Sequence, residues 1–531
     1  MVRAVRRSRA FEAFLRTGDG ERIDAPRDLF APLDDLLVRG GDPRVTLDPV
    51  FRANDYGCGP SPAPEIFCFS SSTASPISER AYARAALARE DLMRSSIELG
   101  FEDAYDARLE EMREALRAHL QLSAAEADVV FSPSGTDSQL HALFLARALL
   151  GKKVTTIVVG SDQTGSGSIH TARGRHFGAR TSRGKAVEKD AAITGLSGDG
   201  IALPLGDGTS DIKPRADIDD AVLAAVESTI TGGAAVLLQI MDSSNLGWRA
   251  PGEACLDEIR RRWPGRVQLV VDACQMRLSR RRLRAYLDRG YMVLVTGSKY
   301  FGGPAFSGAL LVPAGLSQLM NGAKVAPGLL DYASRSDWPK GWAALRARFP
   351  SRLNFGQWLR WEAALEEMDA YYRLPDAFRA GAVRTLSAGL KTLIALSPAL
   401  RLIEPATLCI DDDEFAVPTI LPFTVQNSPG VLSTADGRKL HHALMQDLRE
   451  SIAGGTADRD VAACRCLIGQ PVEIQTGGDE SVAALRLCVG ARHVIDAWSA
   501  DAAVAEQNLL LELDRAANVI AKIELMLRRA G

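Results

Sequence analysis

The chain is 531 residues long, 46% hydrophobic and 24% charged, apolar enough to build a large core and unlike a generically disordered sequence. Its 63 Lys and Arg against 66 Asp and Glu leave a formal net charge of −3, which argues against nucleic acid or an anionic membrane as main partner. No stretch approaches the roughly 18 uninterrupted apolar residues of a membrane-crossing helix. The basic start MVRAVRRSRAFEAFL lacks the apolar run and small-residue cleavage site of a secretory signal. Eight cysteines are scattered through the chain, and only Cys464 and Cys466 lie close together. A C-x-C without a second pair is a poor metal signature, so reduced thiols, no metal and a cytoplasmic location are expected.

Residues 1–65 are rich in Pro, Gly and charge and read as an N-terminal arm. From about residue 80 to 121 the pattern turns helical, and thereafter strands and helices alternate. DVVFSPSGTDSQLHALFLARALLG reads as strand, tight loop and helix; VTTIVVGS, AAVLLQIMDSS, RVQLVVDACQ, YMVLVTGSKY and SGALLVP read as strands. Short, nearly all-apolar strands between helices mean a mostly parallel sheet covered on both faces. A long helical stretch, FGQWLRWEAALEEMDAYYR, follows, then a second alternation that ends in ALRLCVG and a closing helix. The expected organisation is an α/β large domain over 66–350 and a smaller C-terminal α+β domain over 351–531, which includes the long helix.

In parallel α/β sheets, ligands bind beyond the carboxyl ends of the strands. Asp272 ends one apolar strand, and Lys299 follows the next. A desolvated lysine can lose its proton and form a Schiff base with an aldehyde. An Asp opposite it can pair with a protonated pyridine nitrogen. Together they are the minimal apparatus for pyridoxal phosphate. Ser134-Gly135-Thr136 opens a helix after a strand, where free N–H groups would hold a phosphate, and Thr296 and Ser298 offer two further hydroxyls.

With these residues in place the sequence resembles the fold-type I pyridoxal-phosphate enzymes, and more closely the class V aminotransferase branch that includes cysteine desulfurases and kynureninases. Asp272-Ala273-Cys274-Gln275 is similar to the family's Asp-Ala-x-Gln, which implies that Gln275 bonds the ring hydroxyl. Thr296-Gly297-Ser298-Lys299 matches its Ser-x-His-Lys with Ser298 in place of the histidine. Arg352 to Gln357 loosely echoes the Arg-x-Gly-Thr that reaches the neighbouring subunit's phosphate, with Arg352 displaced and Gln357 where Thr is usual; this makes Gly356 and Gln357 candidate cofactor contacts and implies a homodimer with a shared site. The ring-stacking histidine would be His170 or be replaced by another residue, and the Asn near the ring hydroxyl would be Ser244 or Asn245. Arg486, on the closing strand, is the candidate clasp for a substrate α-carboxylate, with Arg492 as competitor. The basic stretch His170 to His176 is either a substrate contact at the pocket mouth or a solvated loop.

The expected function is a pyridoxal-phosphate enzyme, a transferase or lyase, acting on an amino acid or a derivative through an external aldimine. Aminotransfer, elimination or replacement, and carbon–carbon cleavage remain open. The N-terminal arm and the Asn321 to Arg348 stretch, with Trp338 and Trp342, point to a specialised biosynthetic substrate. The alternatives are a desulfurase-like lyase using Cys464 or Cys466, and a non-catalytic sensor or scaffold on the same fold. A dinucleotide-binding dehydrogenase is excluded, because no G-x-G-x-x-G opens a helix after the first strand.

Overall fold

The structure is a computed structural model that describes residues 26–530 apart from 42, 152, 207–212, 404–411, 413, 428–429, 453–454 and 476–480. The first strand, β1 (Ile66–Phe69), is followed by helices α1 (Glu79–Leu99) and α2 (Phe101–His119). Strands β2 (Ala127–Ser132), β3 (Val154–Val159), β4 (Asp199–Leu203), β5 (Ala235–Met241), β6 (Val267–Asp272), β7 (Met292–Thr296) and β8 (Gly308–Pro313) form a seven-stranded sheet. Helix α3 (Gly135–Leu150) follows β2 directly. The order is β2-β8-β7-β6-β5-β3-β4. The neighbours from β7 to β4 are all parallel, and β8 runs antiparallel to both β7 and β2.

The expected buried, mostly parallel sheet is therefore present, and the pleat explains its two cores. Along β7, Val293 and Val295 point into one apolar cluster, while Met292 and Leu294 point into the other. The first cluster is covered by α1, α2 and the helices Arg215–Thr231, Glu253–Arg262 and Arg280–Asp288; the second is covered by α3 and by the Ala323 to Phe349 stretch.

Helix α4 (Phe355–Tyr372) packs into the first cluster. Its Trp358 and Trp361 are fully buried in the first cluster, and Trp361 Nε1 donates to the Gly308 carbonyl at 3.0 Å. α4 is buried on most of its surface, its polar Gln357, Arg360, Glu362 and Glu367 included. β1 pairs in parallel with β12 (Arg465–Gln475), placing the chain's first strand in the second sheet.

That second sheet also contains β9 (Leu400–Leu402), β10 (Ile420–Asn427), β11 (Gly430–Val431) and β13 (Ser481–Cys488), in the order β1-β12-β13-β10-β11 with β9 also on β10. One face packs Leu421, Phe423, Leu485 and Leu487 against α5 (Asp376–Leu396) and α6 (Ala502–Ala530). Strand alternation turns Arg486 to the opposite face, toward the large sheet. Among the described residues, no helix is long and apolar enough to cross a membrane.

Candidate active site

The carboxyl ends of β3, β5, β6 and β7 open onto a cavity of about 490 Å³, closed from the other side by β12 and β13. Lys299, Asp272, Ser134, Gly135, Thr136, Gln275, Thr296, Ser298, Asn245 and Arg486 all line it. Parallel strands end together and crossovers bring each following loop back to one edge, so residues far apart in sequence meet here.

The Lys299 amine makes no hydrogen bond or ion pair with any described residue, and the residue lines the cavity. Burial pushes its pKa below the ordinary 10.5, against the opposing pull of Cys274 and Asp272. Asp272 is 7% exposed; its Oδ1 accepts from the Cys274 N–H at 3.1 Å, and Oδ2 from Thr164 Oγ1 at 3.4 Å. The Cys274 thiol is pushed well above its usual value, first by burial and then by Asp272.

The start of α3 forms the phosphate-sized end. Ser134 is its N-cap: Oγ accepts from the Asp137 N–H at 3.1 Å and donates to Asp137 Oδ2 at 2.5 Å. The Ser138 N–H goes to the Ser134 carbonyl at 3.0 Å. That leaves the N–H groups of Gly135 and Thr136, which have no intrahelical partner and take none from the described residues. Glycine is required at 135 because a Cβ there would stand 2.7 Å from Cys274 Sγ.

Several expected contacts take other partners. Thr296 Oγ1 donates to the Cys274 carbonyl at 2.7 Å, so its proton is committed away from the cavity. The Gln275 side chain donates to Ser72 O at 3.0 Å and accepts from Arg277 at 2.9 Å, which fixes it in the cavity wall. Ser244 accepts from the N–H groups of Leu246 and Trp248 and does not line the cavity; Asn245 does, with Nδ2 donating to Thr164 O at 3.3 Å.

His170 is not in the cavity. Its Nδ1 pairs with Asp190 at 2.8 Å, and the loop after β3 lines the cavity with Ser161 to Ser166 instead. The rest of that basic stretch is tied down locally, His176 to Tyr332 Oη at 2.6 Å and Arg175 to Asp190 O at 2.6 Å. Gly356 and Gln357 are also elsewhere. A Cβ on Gly356 would meet the Arg39 carbonyl at 2.2 Å, and Gln357 Nε2 donates to Asp337 at 2.9 Å. Trp338 and Trp342 are core residues rather than pocket walls.

Arg486 is 3% exposed, and burial lowers its pKa to about 10. It donates to Asn245 O at 3.0 Å, to Thr73 Oγ1 at 3.2 Å and to Gln470 O, while Nε stays buried without a partner. Gly469 opposite leaves it room, since a Cβ there would lie 3.0 Å from Arg486 Nε. Arg492 serves a different place. It donates to Pro76 O and Gly302 O, pairs with Glu367 at 3.5 Å, and lines a second cavity of about 410 Å³.

No family model matches the sequence, and no curated protein does. Among solved structures the chain is similar to Oryza sativa TDC with PLP and tryptamine, at 15% identity over 85% of this chain and 84% of that chain, with a TM-score of 0.47. It is similar to a NifS-like protein at 14% identity over 84% of this chain and 98% of that chain, TM-score 0.47. Rhodiola rosea 4-hydroxyphenylacetaldehyde synthase is similar at 12% identity over 84% and 83%, TM-score 0.45. Identities this low leave the chemistry to this chain's own residues.

Those residues fit pyridoxal phosphate: an unbonded amine, a carboxylate, and unpaired N–H groups at a helix start share one cavity. Among the described residues, no group of three or more His, Cys, Asp or Glu is placed to hold a metal ion. Sequence reading missed Arg44, Tyr56, Thr73 and Phe306, which also line the cavity. Arg44 and Tyr56 lie in the arm and Thr73 just after β1, outside the strand–helix alternation, and no motif marks them.

Proposed function

We propose that this protein is a pyridoxal-phosphate-dependent enzyme, a transferase or lyase acting on an amino acid or amino-acid-derived substrate. The observation that carries this is the unbonded Lys299 amine in the same cavity as the Asp272 carboxylate. Bound pyridoxal phosphate supplies an aldehyde and an electron-withdrawing ring that stabilises negative charge at a substrate carbon.

The chain's own residues prepare that chemistry. Burial raises the fraction of Lys299 in its neutral, nucleophilic form and lets it move a proton at Nζ. Asp272, fixed by the Cys274 N–H and Thr164, holds a negative charge for the ring nitrogen. The start of α3 holds the phosphate through backbone N–H groups and the helix dipole. Arg486, with its unpartnered Nε, is the residue to orient a substrate carboxylate.

The desulfurase-like alternative has no support from its candidate thiols. Neither Cys464 nor Cys466 lines the cavity, and burial raises both pKa values, that of Cys466 to about 12. The homodimer remains a proposal that rests on the resemblance to the class V branch. The test of the enzyme reading is an absorbance scan of purified protein with added pyridoxal phosphate, repeated over a panel of amino acids. A yellow protein whose spectrum changes with particular amino acids is expected; a protein that stays colourless refutes the reading.

A further inference from the structure

A phosphate at a helix N-terminus meets only about half a unit of positive charge from the dipole, so a nearby cation adds a large increment. Beside the free N–H groups of Gly135 and Thr136, the cavity presents Ser298, 5% exposed with a hydroxyl that has no partner among the described residues. On the same side, Arg44 Nη2 approaches Thr136 Oγ1 at 3.4 Å. Arg352, which the family resemblance directs to the neighbouring subunit's phosphate, donates to Leu330 O at 3.1 Å and does not line this cavity.

Arg44 is held in place by packing. It sits in a short turn, Pro43–Val45, with its guanidinium 4.6 Å from the centre of the Phe306 ring and 5.9 Å from that of Phe177. Arg360, fully buried in α4, fastens both sides of this contact. Its Nε donates to Phe306 O at 2.8 Å, and its other nitrogens donate to Leu37 O at 3.0 Å, Gly40 O at 3.0 Å and Arg39 O. The arm segment that carries Arg44 is thus bolted to the helix behind the cavity.

We propose that Arg44 closes a phosphate-monoester site at the start of α3, contributed by the same chain, and that its ligand is the cofactor's phosphate. This rests on the pyridoxal-phosphate reading. The planar guanidinium suits the task because it offers parallel N–H donors to two phosphate oxygens, and its stacking on Phe306 reduces the ordering cost on binding. The arm is then part of the cofactor site.

The test is calorimetric titration of the full-length protein, and of Arg44→Met and Arg44→Lys, with pyridoxal phosphate, pyridoxal and inorganic phosphate. Arg44→Met keeps an apolar stem on Phe306, and unchanged melting temperatures establish that the variants fold. Arg44→Met should weaken pyridoxal phosphate by about 10- to 100-fold, the scale of a charge-assisted hydrogen bond, while pyridoxal binding changes little; Arg44→Lys should fall between. Unchanged affinity for pyridoxal phosphate, or equal losses for both aldehydes, overturns the assignment. If the parent protein binds neither aldehyde but takes inorganic phosphate in an Arg44-dependent way, the phosphate site stands and the cofactor reading fails.

Discussion

Asp272 Oδ2 accepts a hydrogen bond from Thr164 Oγ1 at 3.4 Å, so the loop after β3 supports the carboxylate that ends β6. Oδ1 is held separately by the Cys274 N–H. The carboxylate is therefore oriented from two sides before any ligand arrives. Asp272→Asn keeps the shape and one acceptor but removes the charge. Turnover should fall by about 10²–10³-fold, the scale of losing one aligned electrostatic partner, with cofactor still bound. Steady-state kinetics on whichever amino acid perturbs the spectrum, read beside the cofactor absorbance, checks this; undiminished turnover removes Asp272 from the mechanism.

Lys299 should be the residue that borohydride joins covalently to pyridoxal phosphate, seen by peptide mass spectrometry and absent in Lys299→Met. A pH dependence accompanies it. Burial lowers the folded-state pKa below the ordinary 10.5. Between those two values the unfolded chain binds more protons than the folded one, so stability rises with pH through that window and the burial cost is fully present below it. Lys299→Met should accordingly be more stable than the parent at neutral pH, with the gap closing as pH rises toward the ordinary lysine value. Denaturant midpoints across pH test the sign.

Gly135→Ala places a methyl 2.7 Å from Cys274 Sγ. The helix start must shift, at a cost of about 1–3 kcal/mol in unfolding free energy, as for other overpacked cores. Adding Cys274→Ala removes the sulfur and should restore most of that loss. Urea unfolding of the two single variants and the double variant measures the coupling; additive losses would mean the clash lies elsewhere.

Arg486→Lys keeps a positive charge but loses the fork, and should reduce kcat/KM by roughly 2–4 kcal/mol while leaving the cofactor absorbance intact. Arg492→Lys should leave kcat/KM near the parent value, because that side chain lines the other cavity. The reverse pattern would move the carboxylate site to Arg492.

The large sheet was legible because its strands advertise themselves. VTTIVV and MVLVT are short, apolar and β-branched, and the loops after such strands must gather at one edge, which is why the sequence alone pairs Asp272 with Lys299. His170 was less legible: its neighbours in sequence suggested the cavity, but Asp190, twenty residues later, holds the ring. Gln357 was no more legible, since the Asp337 that binds it lies on a different segment.

Local pattern and residue chemistry by themselves determined the buried parallel sheet, the lysine and carboxylate at its strand ends, and the arginine on the alternate face of β13. Only the tertiary structure decided which hydroxyls remain free, since Thr296 and Ser134 spend their protons on Cys274 O and Asp137 while Ser298 does not. It also decided that β1 joins the second sheet, that α4 is buried with the first, and that Arg44 reaches the helix start. The physical reason is the same in each case. Periodicity and propensity act over a few residues, whereas most of these partners and close approaches are chosen between segments tens to hundreds of residues apart, after the cores have packed.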